Sequence, residues 1–266
     1  MRMPDFPWAF KLIREGHTRF LITELWMRFY VRWHEWLFAR KHHVPPLDDF
    51  QIQLETKHPV AYESLDHQKP WGTKQDNHTN KKFVTLMADW VRRGSPGVTP
   101  GYLDLGCSGG QLVKDFRDLG WLAVGLEGSD YSLKHGRANW PALGRKNLFT
   151  CDITKPFKIT ARQQPARFHL VTMWEVLEHI HQNDLPQIFQ NILAHLDRGG
   201  YFVASTSSIP DVHDGVDLHQ TQWTNQEWRR WLAEHYPELE PAELGLKVYQ
   251  MVRHTPEESY LTYRRR

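Results

Sequence analysis

The sequence predicts an α/β fold: a doubly wound, mostly parallel seven-stranded sheet with a C-terminal antiparallel hairpin, preceded by a helical N-terminal extension. From Gly101 onwards, short apolar runs alternate with longer runs of helical period, which is typical of parallel strands joined by crossover helices. Near the C terminus, two β-rich runs, 245–253 and 259–263, flank a segment that contains a proline. Such a pair predicts the closing hairpin. A chain of 266 residues is long enough for one large domain with an appendage.

The elements of the predicted sheet follow one another in a regular order. Short apolar runs predict parallel strands at 102–105, 121–126, 147–150, 168–173 and 200–205. Helical periodicity predicts helices at 111–119, 131–140, 185–196 and 223–235. A further helix, 81–93, is expected to begin after Asn77 or Thr79, because either residue is a good N-cap.

The N-terminal region, residues 1–45, is predicted to be an aromatic-rich helical extension. On a helical wheel, Glu24, Arg28, Arg32 and Glu35 share one narrow stripe, and large apolar side chains fill the opposite side. Two interpretations remain open. The apolar side packs on the main domain or on a second copy of the chain in a homodimer, or it makes peripheral contact with a membrane surface.

A connector is predicted over residues 46–80, before a main domain that covers 81–266. It begins after a Pro-Pro pair and reads as irregular up to about Pro70. One interpretation of its last ten residues is plain turn and cap chemistry. The other is a lid over a cofactor, with Trp71, Asp76 and Asn80 facing the pocket.

Composition excludes several broad classes of protein. The 33 basic and 31 acidic residues nearly balance, so the net charge gives no general case for nucleic-acid binding. Two cysteines, Cys107 and Cys151, form no disulfide framework and suit a reducing compartment. Neither a signal peptide nor an apolar run long enough to span a membrane is evident. We therefore expect a cytoplasmic protein.

A glycine-rich turn after the first parallel strand predicts a ligand site. In LDLGCSGG, the glycines at 106, 109 and 110 allow a sharp turn and a close approach of a ligand to the main chain. The spacing matches neither a dinucleotide fingerprint nor a phosphate loop. Asp104, at the strand end, offers a carboxylate that suits a cationic ligand.

Acidic residues also follow the next two strands. Glu127 ends the second strand, where a carboxylate is placed to bind both hydroxyls of a ribose. After the third strand, Asp152 is placed to accept a hydrogen bond from an adenine amino group, and Ile153 to pack against its ring.

In this order, the motifs resemble those of class I S-adenosylmethionine-dependent methyltransferases over about residues 72–264. The resemblance implies a Rossmann-like methyltransferase domain with S-adenosylmethionine as cofactor. The predicted cofactor-binding residues are Asp104, Gly106, Cys107, Gly109, Glu127, Asp152, Ile153 and Trp174. Of these, Cys107 is interpreted as a small loop residue and not as a nucleophile, because no base is evident beside it.

The segment after the fourth strand, ExxEH, is the predicted centre of the chemistry. If a helix begins there, Glu175, Glu178 and His179 at i, i+3 and i+4 project from one face. Two carboxylates and an imidazole are ligands suited to Mg²⁺ or Mn²⁺. His219, just before a motif that contains Trp223, is the predicted fourth ligand. Without a metal, His179 or His219 is the predicted general base.

The spacing of ExxEH and the distant HxxxWTxxx(F/W)xxW resembles that of metal-dependent 2′-O-methyltransferases that modify small-RNA 3′ ends. ExxEH alone is similar to ubiquinone-biosynthesis O-methyltransferases. The first resemblance implies that Glu175, Glu178, His179 and His219 hold a magnesium ion that grips two adjacent hydroxyls. The chain departs from the RNA enzymes because no RNA-binding module is visible, so RNA is not the favoured partner.

The predicted function is S-adenosylmethionine-dependent O-methylation of a sugar hydroxyl, in a glycan or glycolipid, with assistance from a divalent cation. The predicted catalytic residues are Glu175, His179 and His219. Three alternatives remain: 2′-O-methylation of an RNA 3′ end, O-methylation of a quinone or phenol, and a scaffold that binds the cofactor without turnover.

Overall fold

The computed structural model describes residues 49–75, 77, 81–94, 97–243 and 260–266, together with Arg14 and Trp33. The chain divides into two units, Met1–His43 and Val44–Arg266, and the elements below belong to the second. The predicted N-terminal helix falls outside the described residues, so its contact with a membrane or a second copy stays a prediction, as do the predicted domain boundaries. Within the described part of the chain, no helix has the length and apolar character needed to cross a membrane.

A seven-stranded sheet organises the second unit. Numbered along the chain, its strands lie in the order β11 (Leu239–Pro241), β12 (Tyr260–Arg265), β8 (Leu196–Ser205), β7 (Phe168–Trp174), β2 (Gly101–Leu105), β3 (Leu122–Glu127) and β4 (Leu148–Thr150). The five strands from β8 to β4 are parallel. Strand β12 runs antiparallel to both β8 and β11. The predicted fold class, with its antiparallel C-terminal edge, is confirmed.

The helices of the second unit precede or connect these strands. They are α1 (Leu65–Gln68), α2 (Trp71–Gln75), α3 (Lys81–Gly94), α4 (Gln111–Arg117), α5 (Tyr131–Lys134), α6 (Trp140–Leu143), α7 (Leu185–His195) and α8 (Asn225–His235). In α7, the apolar side chains at 185, 188, 189 and 192 are buried, because their spacing gives one apolar face. Helix α8 begins at a capping box in which Thr224 and Glu227 each accept from the other's backbone N–H.

Register in the parallel sheet decides where the site lies. All five residues of β2 are buried, as expected for a strand covered on both faces. Asp104 in β2 is opposite Gly125 in β3 and Thr172 in β7. The carboxyl ends of these three strands therefore meet at one edge of the sheet, where open α/β folds bind their ligands.

Some predicted boundaries differ from those in the structure. The helix predicted over 131–140 is not continuous: only its first turn, α5, is helical, and α6 begins at its last residue and runs beyond it. Gly136 and Ala138 between them have positive φ angles of 56° and 47°, which end a right-handed helix. Strand β8 starts at Leu196, four residues before its predicted start. Of the two predicted hairpin runs, 259–263 falls largely in β12, whereas 245–253 lies outside the described residues.

The described part of the connector, residues 49–75, contains regular elements, contrary to the prediction of an irregular segment up to Pro70. Its strand β1 (Gln53–Thr56) pairs with β5 (Phe157–Ala161), which also pairs with β6 (Gln164–Pro165), and all pairings are antiparallel. The sequence QLET shows no long apolar run, so only the distant partner strand makes it recognisable as a strand. Asp76, Asn80 and the side chain of Trp71 lie outside the described residues, so their predicted lid role stays untested.

Candidate active site

The turn after β2 requires glycine for two physical reasons. Gly106 has a φ angle of +80°, which side chains rarely tolerate, and a Cβ at this position would strike Val176. The turn is held by the Gly106 N–H, which donates to the carbonyl of Leu126 at 2.8 Å. It therefore packs the end of β2 directly against the segment that follows β7.

The second half of the glycine loop is held by amide side chains. A Cβ on Gly109 would lie 2.5 Å from Oδ1 of Asn77. The Asn139 side-chain amide donates to the carbonyl of Gly109 at 3.3 Å and to Oε1 of Gln111 at 3.1 Å. Gly110, with a φ angle of +76°, starts α4. The protein's own packing thus fixes the loop in the shape that the sequence predicts for a ligand turn.

Glu127, at the end of β3, is a buried carboxylate with a partner on each oxygen. Oε2 accepts from the N–H of Ser108 at 2.8 Å, and Oε1 accepts from the N–H of Ser129 at 3.0 Å. Burial nevertheless raises the pKa of Glu127 to about 7, although both amide bonds oppose the rise. Each oxygen keeps a second lone pair that can accept from a ligand hydroxyl.

Asp104 lies in a buried polar network that the sequence did not predict. Its Oδ1 accepts from the Thr172 hydroxyl at 2.6 Å, and Tyr102 Oη lies 2.8 Å from the same hydroxyl. Burial, followed by the negative charge of Asp104, raises the pKa of Tyr102 well above its usual value. At the end of β7, Trp174 packs edge-to-face on Phe83, with ring centroids 5.2 Å apart.

Three other residues predicted to bind the cofactor, Cys107, Asp152 and Ile153, have different surroundings in the structure. Cys107 is buried beneath β3, and burial raises the pKa of its thiol well above the usual value, in line with an unreactive loop cysteine. Asp152 Oδ1 accepts from the N–H of Thr154 at 2.9 Å and from its hydroxyl at 2.6 Å. Ile153 is part of the apolar core.

The helix predicted to carry ExxEH is not present. Glu175 has a left-handed backbone, with a φ angle of 51°, and a single 3₁₀ turn, Leu177–His179, follows. The Glu175 N–H donates to Oγ of Ser205 at 3.1 Å, so β8 holds the backbone of this bend. Because Glu175 bends the chain, the i, i+3, i+4 argument for a shared helical face fails.

The structure nevertheless brings three of the four predicted metal ligands together. Ligand atoms of Glu178, His179 and His219 all lie within 4.8 Å of one another. The two imidazole rings meet edge-to-face, with centroids 4.7 Å apart. Glu175 is not in this group. Its Oε1 is buried and finds no hydrogen-bond partner among the described residues.

Glu178 is a fully buried carboxylate with one oxygen bound and one left without a protein partner. Oε1 accepts from the N–H of Ser207 at 3.0 Å, whereas Oε2 has no hydrogen-bond partner in the described part of the chain. Burial and then the charge of Glu175 raise the pKa of Glu178 to about 8. Leaving a buried charge unpaired is costly, so Oε2 requires a proton or a cation.

Backbone bonds explain why the distant His219 reaches this carboxylate. The carbonyl oxygen of Glu178 accepts from the N–H groups of Gln220 at 2.7 Å and Thr221 at 2.9 Å. Oδ1 of Asp217 accepts from the N–H of His219 at 3.0 Å. These bonds fasten the loop after β10 (Val216–Asp217) onto the turn that carries Glu178.

Each imidazole has its Nδ1 beside an acceptor. His219 Nδ1 lies 2.5 Å from the carbonyl oxygen of Ile209, and His179 Nδ1 lies 3.1 Å from Oδ1 of Asp66. Burial lowers the pKa of His179, but the neighbouring Asp66 carboxylate, with smaller contributions from Glu178 and Asp211, outweighs burial and raises the pKa to about 9. The Asp66 contact is an ion pair by distance, and His179 Nδ1 makes no hydrogen bond of good geometry to the described residues. Since a carbonyl oxygen can only accept, the proton of a neutral His219 lies on Nδ1, and Nε2 keeps its lone pair.

The donor set fits a divalent cation on three counts. The group has two imidazoles and one carboxylate, which are ligands of common divalent metals. Their ligand atoms lie nearly as close as those around one ion, which are about 3 to 4 Å apart. The third is Oε2 of Glu178, which is buried without a hydrogen-bond partner among the described residues and whose charge a cation would neutralise.

Sequence reasoning missed three groups that build this site: Asp66, Ser207 and Ile209. Ser207 and Ile209 act through backbone atoms, which leave no residue-type signal. Asp66 lies in the connector, far from His179 in the sequence, and nothing in its local pattern indicates their contact.

Comparison with known proteins decides the family. A sequence profile described as "Methyltransferase domain" matches residues 74–248, which is more than half of the chain. The chain belongs to this methyltransferase family. The matched region contains β2, β3, β7 and β8, and thus both the glycine loop and the Glu178 cluster.

Relatives of the methyltransferase point to the same class. A ubiquinone biosynthesis O-methyltransferase of Leptothrix cholodnii is 26% identical over 154 residues, which cover 57% of this chain and 63% of the relative. That of Idiomarina loihiensis is 36% identical over 78 residues, covering 29% and 31%. The matches therefore span about one third to two thirds of these relatives' length.

Among solved structures, an S-adenosylmethionine-dependent methyltransferase from Clostridium acetobutylicum has the same fold. Its TM-score is 0.50 at 15% identity, and the match covers 74% of this chain and 95% of that one. Profile, relatives and fold agree that the chain belongs to the methyltransferase family.

Proposed function

We propose that this methyltransferase transfers a methyl group to a hydroxyl held beside a divalent cation at Glu178, His179 and His219. The observation that carries the proposal is the carboxylate of Glu178: its Oε2 is buried without a partner among the described residues, and one of its oxygens lies within 4.8 Å of a ligand nitrogen of each imidazole. A bound Mg²⁺ or Mn²⁺ would orient the acceptor hydroxyl and lower its pKa.

The contact between Gly106 and Val176 separates two groups of residues with different proposed roles. The predicted donor side comprises Asp104, the glycine loop and Glu127, which lie at the ends of β2 and β3. The acceptor side begins at Val176, which packs against Gly106. A methyl donor at the glycine loop and a hydroxyl at Glu178 would therefore be neighbours, as methyl transfer in line requires.

The two histidines act as ligands in this proposal. Each has Nδ1 beside an acceptor, and its Nε2 would hold the cation in place of a proton. During transfer, the acceptor oxygen forms its bond to the methyl carbon as the carbon–sulfur bond breaks, and the hydroxyl proton leaves to a base or to water. Glu175 is proposed to complete the acceptor side, since its Oε1 also lacks a partner among the described residues.

The acceptor is proposed to be a small molecule with adjacent hydroxyls. The sequence favours a sugar diol, whereas the ubiquinone biosynthesis O-methyltransferases among the relatives support a quinone or phenol acceptor. We would therefore test a phenolic acceptor first and a sugar second. An RNA 3′ end is the third candidate.

One experiment tests the proposed cation and acceptor together. The full-length enzyme is freed of metal with EDTA and dialysis, and methyl transfer to dihydroxyphenols, sugars and RNA oligonucleotides is measured with and without added Mn²⁺ or Mg²⁺. We expect transfer to one acceptor class that depends on the metal. Undiminished transfer after metal removal would disprove the role of the cation, and tight S-adenosylmethionine binding without any transfer would favour the scaffold alternative.

A further inference from the structure

We propose that Asp66 is a positioning residue for the methyltransferase site, because it holds the Nδ1 side of the His179 ring and turns Nε2 towards the cation. The inference rests on the proposed function and assigns a task to the part of the connector before Pro70, which the sequence predicts to be irregular. Asp66 Oδ1 lies 3.1 Å from His179 Nδ1.

Three bonds fix the position of α1, which carries Asp66. Ser64 caps the helix by accepting from the N–H of His67 at 3.1 Å. Just before it, the Ala61 N–H donates to the carbonyl of Gly128 at 3.0 Å. Just after it, Lys69 Nζ donates to the carbonyl of His213 at 3.2 Å. The helix is thus tied to the end of β3 on the donor side and to the β9 (Val212–His213) turn on the acceptor side.

Chemistry dictates what a carboxylate does at this place. An ionised Asp66 only accepts, so its contact with Nδ1 keeps a proton on that nitrogen and makes Nε2 the nitrogen that would give up its proton to bind a cation. A metal-ligating histidine commonly has such a carboxylate or carbonyl behind it, and that partner fixes the ring and strengthens the ligand. His219 has the carbonyl of Ile209 in the same place.

The difference between the two histidines makes the inference testable. The support for His219 is a backbone atom, which substitution does not remove. The support for His179 is a side chain that is 39% exposed, so its replacement leaves the core intact. Asp211 offers a matched control: its charge also raises the pKa of His179, but its carboxylate pairs with His213 at 2.9 Å instead.

The test is Mn²⁺ titration of the full-length, metal-free protein by calorimetry, with S-adenosylmethionine affinity and thermal unfolding measured in parallel. We expect Asp66→Asn to weaken Mn²⁺ binding about 10- to 100-fold and to leave both other readouts at wild-type values. Asp66→Glu, which keeps the carboxylate, should recover part of the affinity. Asp211→Asn should change Mn²⁺ affinity less than about threefold, because a partly exposed charge acts weakly without contact.

The outcomes separate this inference from the proposed function. A wild-type protein that takes up no Mn²⁺ or Mg²⁺ would overturn both. The positioning role alone would be overturned if Asp66→Asn bound the metal as tightly as the wild-type protein does. It would also be overturned if Asp211→Asn weakened metal binding as much as Asp66→Asn. An Asp66→Asn protein that fails to fold, or that loses S-adenosylmethionine affinity as well, would show that Asp66 is structural and would also overturn it.

Discussion

Glu127 and Glu178 are both buried carboxylates near the carboxyl ends of strands in one sheet, yet their surroundings differ. Each oxygen of Glu127 accepts from a backbone N–H, whereas Oε2 of Glu178 has no partner among the described residues. The pKa of both is raised by burial, to about 7 and about 8. The protein therefore supplies a hydrogen-bond donor to both oxygens of Glu127, and each oxygen can still accept from a hydroxyl. Oε2 of Glu178 instead requires a proton or a cation.

The difference teaches that the two sides of the site obtain their shape in different ways. The donor side is preformed by backbone bonds and glycine packing within β2, β3 and the loop between them. The acceptor side is assembled from three distant segments, the turn at Glu178, the loop at His219 and the helix at Asp66. We expect substitutions to separate the two sides cleanly.

The largest effect is expected from Glu178→Gln. Without the charged ligand, Mn²⁺ affinity and metal-dependent transfer should each fall about 100-fold or more, while S-adenosylmethionine affinity stays at the wild-type value. Calorimetry with each ligand measures both quantities. Glu127→Gln is the matched control, because it removes a buried charge from the other side. If either variant lost Mn²⁺ affinity and S-adenosylmethionine affinity to the same extent, the two sides of the site would not act separately.

A smaller effect is expected from Glu127→Gln, in S-adenosylmethionine affinity and in the pH dependence of stability. The affinity should fall about 10-fold, because hydrogen bonds to a charged acceptor are lost.

The folded pKa of Glu127 is raised, so its stabilising contribution is present below the unfolded pKa of about 4.5 and is lost as pH rises through about 7.

Wild-type stability should accordingly fall relative to Glu127→Gln between about pH 4.5 and 7, by at most about 3 kcal/mol. Urea unfolding of both proteins without metal or cofactor measures this. Parallel stability curves across the range would show that the Glu127 carboxylate is not protonated in the folded protein, against the raised pKa.

The smallest effect is expected from Thr172→Val, which tests the hydrogen bonds around Asp104 on the donor side. The substitution keeps the shape of the side chain but removes the hydroxyl between Tyr102 and Asp104. The free energy of unfolding should decrease by about 1 to 2 kcal/mol, and Mn²⁺ affinity should not change. Thr172→Ser keeps the hydroxyl and serves as the control in urea unfolding. If Thr172→Val lost no more stability than Thr172→Ser, the hydrogen bonds of the hydroxyl would not be what stabilises this part of the fold.

The sequence predicts the parallel strands well, because apolar runs such as 168–173 are buried on both faces of the sheet and leave a strong pattern. Its predictions fail where short or polar segments depend on distant partners. The local pattern predicts an irregular segment at β1 and a helix at Leu177–His179, and the structure has a strand and a 3₁₀ turn there. In both places, a partner from elsewhere in the fold outweighs local preference.

The sequence by itself determined the fold class, the glycine turn at Gly106 and the residue types at Glu178, His179 and His219. These depend on periodicity and spacing along the chain. Only the tertiary structure decided that Glu175 has a left-handed backbone outside the group of Glu178, His179 and His219, and that Asp66 lies beside His179. The reason is physical: a left-handed bend and a contact between distant segments are set by three-dimensional packing, and neither leaves a period or a spacing in the sequence.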